Sequence, residues 1–135
     1  MKSLVLTCTG LLLAAAAARA EQPADFQAAF AAEAQRSVPG FSGFSPARGA
    51  ELFRATHGGD WSCASCHTED PRAVGEHAST GKRIQPLAPS ANPERFTRPD
   101  KVEKWFKRNC NDVLKRSCTA QEKGDVLAWL MSLGG

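Results

Sequence analysis

A chain of 135 residues with 17 Lys and Arg against 14 Asp and Glu carries a net charge of +3. So small a surplus, with no nucleic-acid motif, argues against a polyanion binder, and the length allows one small domain with one core. The only long apolar run is at the N-terminus, which argues against a membrane span in a processed chain.

Met1 to Ala20 reads as a signal peptide. Lys2 forms the charged start, Leu4 to Ala18 the apolar run, and Ala18-Arg19-Ala20 an A-x-A cleavage site. Export to the periplasm is the expectation, and Cys8 leaves with the leader. Removal of Lys2 and Arg19 brings the net charge to +1. Residues 21–135 then form a single domain. Its first part, 21–44, divides into an Ala-rich amphipathic helix with Phe26 and Phe30 four apart, opened by Pro23 or Asp25, and a Pro/Gly linker from Pro39 to Phe44. Ser45-Pro46 is an N-cap followed by Pro at the first turn, and a helix is expected through Phe53. Gly49 sits within it on the face of Phe53. A mid-helix Gly costs ~1 kcal/mol relative to Ala, so the close crossing of another helix is expected there.

Cys63-Ala64-Ser65-Cys66-His67 is a C-x-x-C-H sequence, the c-type haem attachment signal. Two intervening residues let one helical turn present both thiols to the two vinyl groups on a porphyrin edge, and the following His directs its imidazole at the iron. A zinc site would need a second ligand pair at similar spacing, which Cys110 and Cys118, with no His nearby, do not supply. A thioredoxin-like site would need a βαβ context that is not found. One covalent haem c is therefore expected, on Cys63 and Cys66, with His67 as the proximal iron ligand.

From His67 to Pro99 the chain is rich in Pro and Gly, and little regular structure is expected. Such a segment can wrap a haem, with Ile84, Leu87 and Phe96 as lining residues and Lys82, Arg83 or Arg95 available to its propionates. Asp100 is expected to cap a helix over Lys101 to Asn109. Val102, Trp105, Phe106 and Asn109 follow i, i+3, i+4, i+7 on one face. Cys110 and Cys118 are left once the haem and the leader have taken the other three cysteines, and in an oxidising compartment they are expected to pair. Thr119-Ala120-Gln121-Glu122 is a capping box. It opens a last helix to about Leu133, stopped by Gly134-Gly135, whose Val126, Leu127, Trp129, Leu130 and Leu133 can cross at Gly49.

The second axial position is harder to read. Met1 goes with the leader, and Met131 is expected to pack inside the last helix. His57 is expected to be exposed, and His77 sits in the irregular segment, within reach of the iron. Asn109 reads from composition as a helix C-cap, yet it also extends an apolar stripe.

Here the sequence resembles a known family. Gly81 to Pro93, Arg95-Phe96-Thr97, Lys101 to Phe106, Arg108-Asn109-Cys110 and Cys118-Thr119 through Glu122 to Asp125 are similar to the sphaeroides haem proteins over about Cys63 to Leu133. The N-terminal helix over residues 21–36 carries no such match. The resemblance implies an all-α, class I cytochrome c-like fold wrapped around one haem, in which the Gly49 helix is the N-terminal one. It also implies that Asn109 is the sixth ligand of ferric iron and leaves on reduction. An open distal site beside Trp105 and Phe106 can then take O2, NO or CO. It further implies a dihaem cytochrome c and a membrane cytochrome b as redox partners. The uneven charge agrees with an acidic partner: Lys82 to Arg116 holds ten Lys and Arg against four Asp and Glu. Two other readings stay open: an ordinary six-coordinate electron carrier using His77 or Met131, and a haem enzyme reducing O2, NO or peroxide with His77 near Lys82 or Arg83.

Overall fold

The computed structural model describes residues 20 to 134. The expected signal peptide and Cys8 therefore lie outside the described residues, Ala20 excepted. Five helices carry the fold: α1 (Pro23–Ser37), α2 (Pro46–Arg54), α3 (Ala64–His67), α4 (Pro99–Leu114) and α5 (Ala120–Ser132). A two-residue antiparallel ribbon, β1 (Gly75–Glu76) against β2 (Arg83–Ile84), stands between α3 and α4.

The centre of the fold is the crossing of α2 and α5. The Ser45 hydroxyl accepts from the Arg48 amide at 3.3 Å and Pro46 opens the first turn. The α5 capping box forms as expected, with Thr119 and Glu122 exchanging bonds of 3.1 and 2.8 Å. Gly49 lies directly against the Asp125 backbone, where a Cβ would overlap the carbonyl. Phe53, Leu127 and Leu130 are fully buried beside this contact, and Phe53 meets Trp129 at 4.8 Å between ring centroids. Asp125, only 4% exposed, accepts from the Ser45 amide at 2.6 Å and from the Arg48 Nε and Nη2 at 2.7 and 2.9 Å. The start of α2 is thus pinned to α5 by a fully satisfied buried carboxylate.

Helix α1 lays Phe26, Phe30 and Ala34 onto α5, a face with the i, i+4, i+8 spacing of a buried helical stripe. Phe30 also meets Phe106 of α4 edge-on, 5.7 Å between centroids. Gly124 in α5 leaves room for the Phe44 ring, which a Cβ there would strike.

Helix α4 departs from expectation at both ends. Pro99 takes the first helical position, so Arg98 is the N-cap and Asp100 falls in the first turn, where a carboxylate favours the helix dipole. The helix then runs through Asn109 and Cys110 to Leu114 and ends on Lys115 in the left-handed conformation, φ 57°. Asn109 is therefore an interior helical residue and not a C-cap. Met131 is 39% exposed, which overturns its expected packing role; Trp129 and Leu130 are the residues of α5 that turn inward.

Candidate haem-attachment site

Helix α3 is a single turn that presents the motif. Ser62 and Ser65 exchange hydrogen bonds at its start, the Ser65 hydroxyl accepting from the Ser62 amide at 2.9 Å and the Ser62 hydroxyl from the Ser65 amide at 3.2 Å. The His67 amide donates to the Cys63 carbonyl at 3.0 Å. The turn stops at Thr68, whose φ of 65° is costly for a β-branched residue. The Thr68 hydroxyl donates to the Asp70 carbonyl at 2.6 Å, which helps hold that bend.

Ribbon β1–β2 closes over the turn. Gly75 lies so near the Cys66 carbonyl that a Cβ would overlap it, and the Ala78 amide points at Cys66 Sγ, 3.3 Å away. On the other side, the Leu87 and Ala88 amides donate to the Pro71 carbonyl at 2.8 and 3.0 Å. The irregular segment is thus tied to the attachment turn from two directions. Leu87 and Phe96 pack, partly buried, against the core cluster, as Cys63 also does. Ile84 is half-buried in β2.

Cys63 and Cys66 are both free thiols, half-buried. Burial pushes the Cys63 thiol up to about 11, so it stays neutral near pH 7. That environment suits an uncharged thioether better than a thiolate metal ligand. Among the described residues no group of three or more His, Cys, Asp or Glu could hold a metal ion. His67 is held down to about 4, first by burial and then by the Arg95 charge, and so keeps the neutral ring that iron ligation requires. Phe53 backs the imidazole at 6.2 Å between centroids. Two half-buried thiols one turn apart, followed at once by a neutral imidazole amid part-covered apolar side chains, fit a covalent haem.

Asn109 is half-buried in α4. Asn111 turns its amide back on the Lys107 carbonyl at 2.7 Å, whereas the Asn109 amide has no such partner among the described residues. Four positions before it, hence on the same helical face, Trp105 is 44% exposed. An apolar ring open to solvent beside an uncommitted amide is a surface that a planar apolar cofactor would cover. Cys110, the next residue, is buried and joined to Cys118 in a disulfide with Cα atoms 5.6 Å apart.

The other candidates are placed as follows. The His57 ring bonds the Leu52 carbonyl at 2.9 Å in an exposed turn. His77 is half-buried in the ribbon turn, its Nδ1 3.2 Å from the Ser79 hydroxyl. Lys82 and Arg83 are exposed, while Arg95 is half-buried. Sequence reasoning missed Asp125 and the Gly75 contact; each becomes visible only when two distant segments meet.

A family model described as a domain of unknown function, DUF1924, matches residues 39–130. The cytochrome c-type protein SHP of Cereibacter sphaeroides is 52% identical over 87 residues, covering 62% of this chain and 67% of that one. Cytochrome c'' of Methylophilus methylotrophus is 46% identical over 80 residues, covering 59% and 56%, so the match spans little more than half of that protein. The structure of oxidised SHP, described as an oxygen-binding cytochrome c, superposes with a TM-score of 0.72 at 44% identity, covering 82% of this chain and 96% of that one. The solution structure of cytochrome c'', described as bearing on haem-ligand detachment, gives 0.72 at 36% identity, covering 84% and 94%.

Proposed function

The chain belongs to the DUF1924 family, that of the sphaeroides haem protein, and from that membership we propose a periplasmic monohaem c-type cytochrome that accepts an electron and then admits a small diatomic ligand. The observation that carries the reading is α3, where two half-buried thiols lie one turn apart and a neutral His67 follows. Haem c, when bound, would supply one-electron exchange and an iron able to take a small ligand.

Each residue has a distinct task. Cys63 and Cys66 anchor the porphyrin by thioethers, which survive redox cycling. His67 ligates from the α3 side, backed by Phe53. Asn109, from α4, would hold ferric iron through its amide oxygen, a neutral hard donor better matched to Fe(III) than to Fe(II). It would be the ligand given up on reduction in favour of O2, NO or CO, and its freed N–H could donate to such a ligand. The bridge from Cys110 to Cys118 holds the backbone while the side chain moves. SHP is described as oxygen-binding and the cytochrome c'' structure as concerned with ligand detachment; both descriptions support this reading by analogy.

Export rests on the leader, and no described helix is long and apolar enough to cross a membrane. A dihaem cytochrome c, fed by a membrane cytochrome b, is the proposed donor. Electron paramagnetic resonance of ferric Asn109→Ala tests the ligand assignment: the variant is expected to lose the sixth protein ligand, and a ferric spectrum identical to the wild type's would contradict it.

A further inference from the structure

Five arginines meet carboxylates: Arg48 with Asp125, Arg54 with Glu69, Arg72 with Asp70, Arg98 with Asp100 and Arg116 with Glu122. Arg95 has none within ion-pair distance among the described residues, although it is half-buried. Its Nε donates to the Pro86 carbonyl at 2.8 Å and its Nη2 to the Gln85 carbonyl at 2.7 Å. Asn92 Nδ2 reaches the same Pro86 oxygen at 3.3 Å. These bonds fix the guanidinium inside the loop between β2 and α4 but supply no counter-charge. A cation drawn from water without an anion is costly, and a planar fork held on two carbonyls still has Nη1 to offer.

The loop brings this charge to the attachment site. Leu87, next to Pro86, and Phe96, next to Arg95, pack against the core cluster that Cys63 also packs against. Leu87 and Ala88 bond Pro71, four residues beyond His67. A haem on Cys63, Cys66 and His67 would bring two carboxylates to a region whose half-buried cation lacks one.

We infer that Arg95 is a positioning residue that receives one haem propionate through Nη1 and whose charge raises the reduction potential. The inference rests on the haem reading above. A fixed cation near the iron favours the less positive ferrous state, and ferrous iron is the state from which Asn109 withdraws. Arg95 would therefore favour the state from which Asn109 is released.

The test uses the holoprotein and its Arg95→Lys and Arg95→Gln variants in a spectroelectrochemical titration. Carbon-13 resonance of labelled haem propionates in the wild type runs beside it. Arg95→Gln is expected to raise the ferric-to-ferrous ratio at fixed potential about tenfold, a fall of roughly 59 mV for one electron, and Arg95→Lys to recover part of that. One wild-type propionate is expected to stay ionised below the ordinary carboxylate range. Wild-type propionates that both titrate in the ordinary range overturn the inference, even if neither variant folds. Wild-type potential in Arg95→Gln overturns it too, as do equal shifts in the Lys and Gln variants, which would mark a loop clamp alone. A purified protein with no covalent haem spectrum overturns the haem reading itself, and the inference with it.

Discussion

Replacing Gly49 with Ala adds one methyl group where α2 crosses α5. That methyl would overlap the Asp125 carbonyl oxygen and crowd the carbonyl carbon and the Val126 nitrogen. All three are backbone atoms of a packed helix and have no rotamer to escape into. The helices must part, and the motion strains the 2.7 Å ion pair between Arg48 and Asp125 and the tilted ring contact of Phe53 with Trp129. Overpacking of this kind costs about 1–3 kcal/mol, with the upper end expected against backbone. The gain in helix propensity returns about 1 kcal/mol. The net loss is then about 2 kcal/mol, or roughly 8 °C in Tm for a domain of this size. Gly59→Ala is the control, since its Cβ would meet only ordinary contacts, the nearest at 3.4 Å. Thermal unfolding of both ferric variants, followed by far-ultraviolet circular dichroism, reads the difference. A Gly49→Ala midpoint at or above the wild type's would refute the close-crossing argument.

Other substitutions probe the parts around this crossing. The double variant Cys110→Ser, Cys118→Ser opens a short loop, eight residues in sequence separation, and should lose about 2–3 kcal/mol in urea unfolding; an unchanged midpoint would deny the bridge a stabilising role. Gly75→Ala drives a methyl into the Cys66 carbonyl and should lower the yield of covalently loaded protein, measured as haem stain per unit protein. His67 gives a pH prediction with a definite sign. Its folded value, about 4, lies below the ordinary 6.5, so the unfolded chain takes up a proton first and stability falls as pH drops from 6.5 toward 4. Iron ligation needs the same neutral ring and extends the resistance further. In an acid titration watched through the Soret band, His67 should be released only below about pH 4, and release near pH 6 would contradict its burial.

Much of this was legible where local chemistry and tertiary demand agree. The C-x-x-C-H turn, the Ser45-Pro46 start, the Thr119 to Glu122 box and the Gly49 crossing each depend on a few neighbouring residues, and each stands where the sequence places it. The end of α4 was not legible. Asn109, Asn111 and Asp112 are weak helix formers, and Cys110 reads as a bridge partner. In the fold Cys110 also serves as a core residue: it and Val113 are buried and continue the face of Val102 and Phe106. Packing thus carries the helix past the point where propensity would stop it. The two-residue ribbon escaped for a related reason. Its strands are too short to show alternation, and Gly75 is required there by Cys66, nine positions away. Asp125 carries no local sign of its partners, since Ser45 and Arg48 lie 80 and 77 positions away.

The account turns on Asn109 leaving the iron when the electron arrives. The most direct measurement is the visible spectrum of the purified haem protein in three states: ferric, ferrous, and ferrous with CO. A high-spin ferrous form that takes CO at once is the expected result. A ferrous form that stays low-spin and ignores CO would mean a permanent strong sixth ligand, and would make the protein an ordinary electron carrier with His77 as the residue to examine.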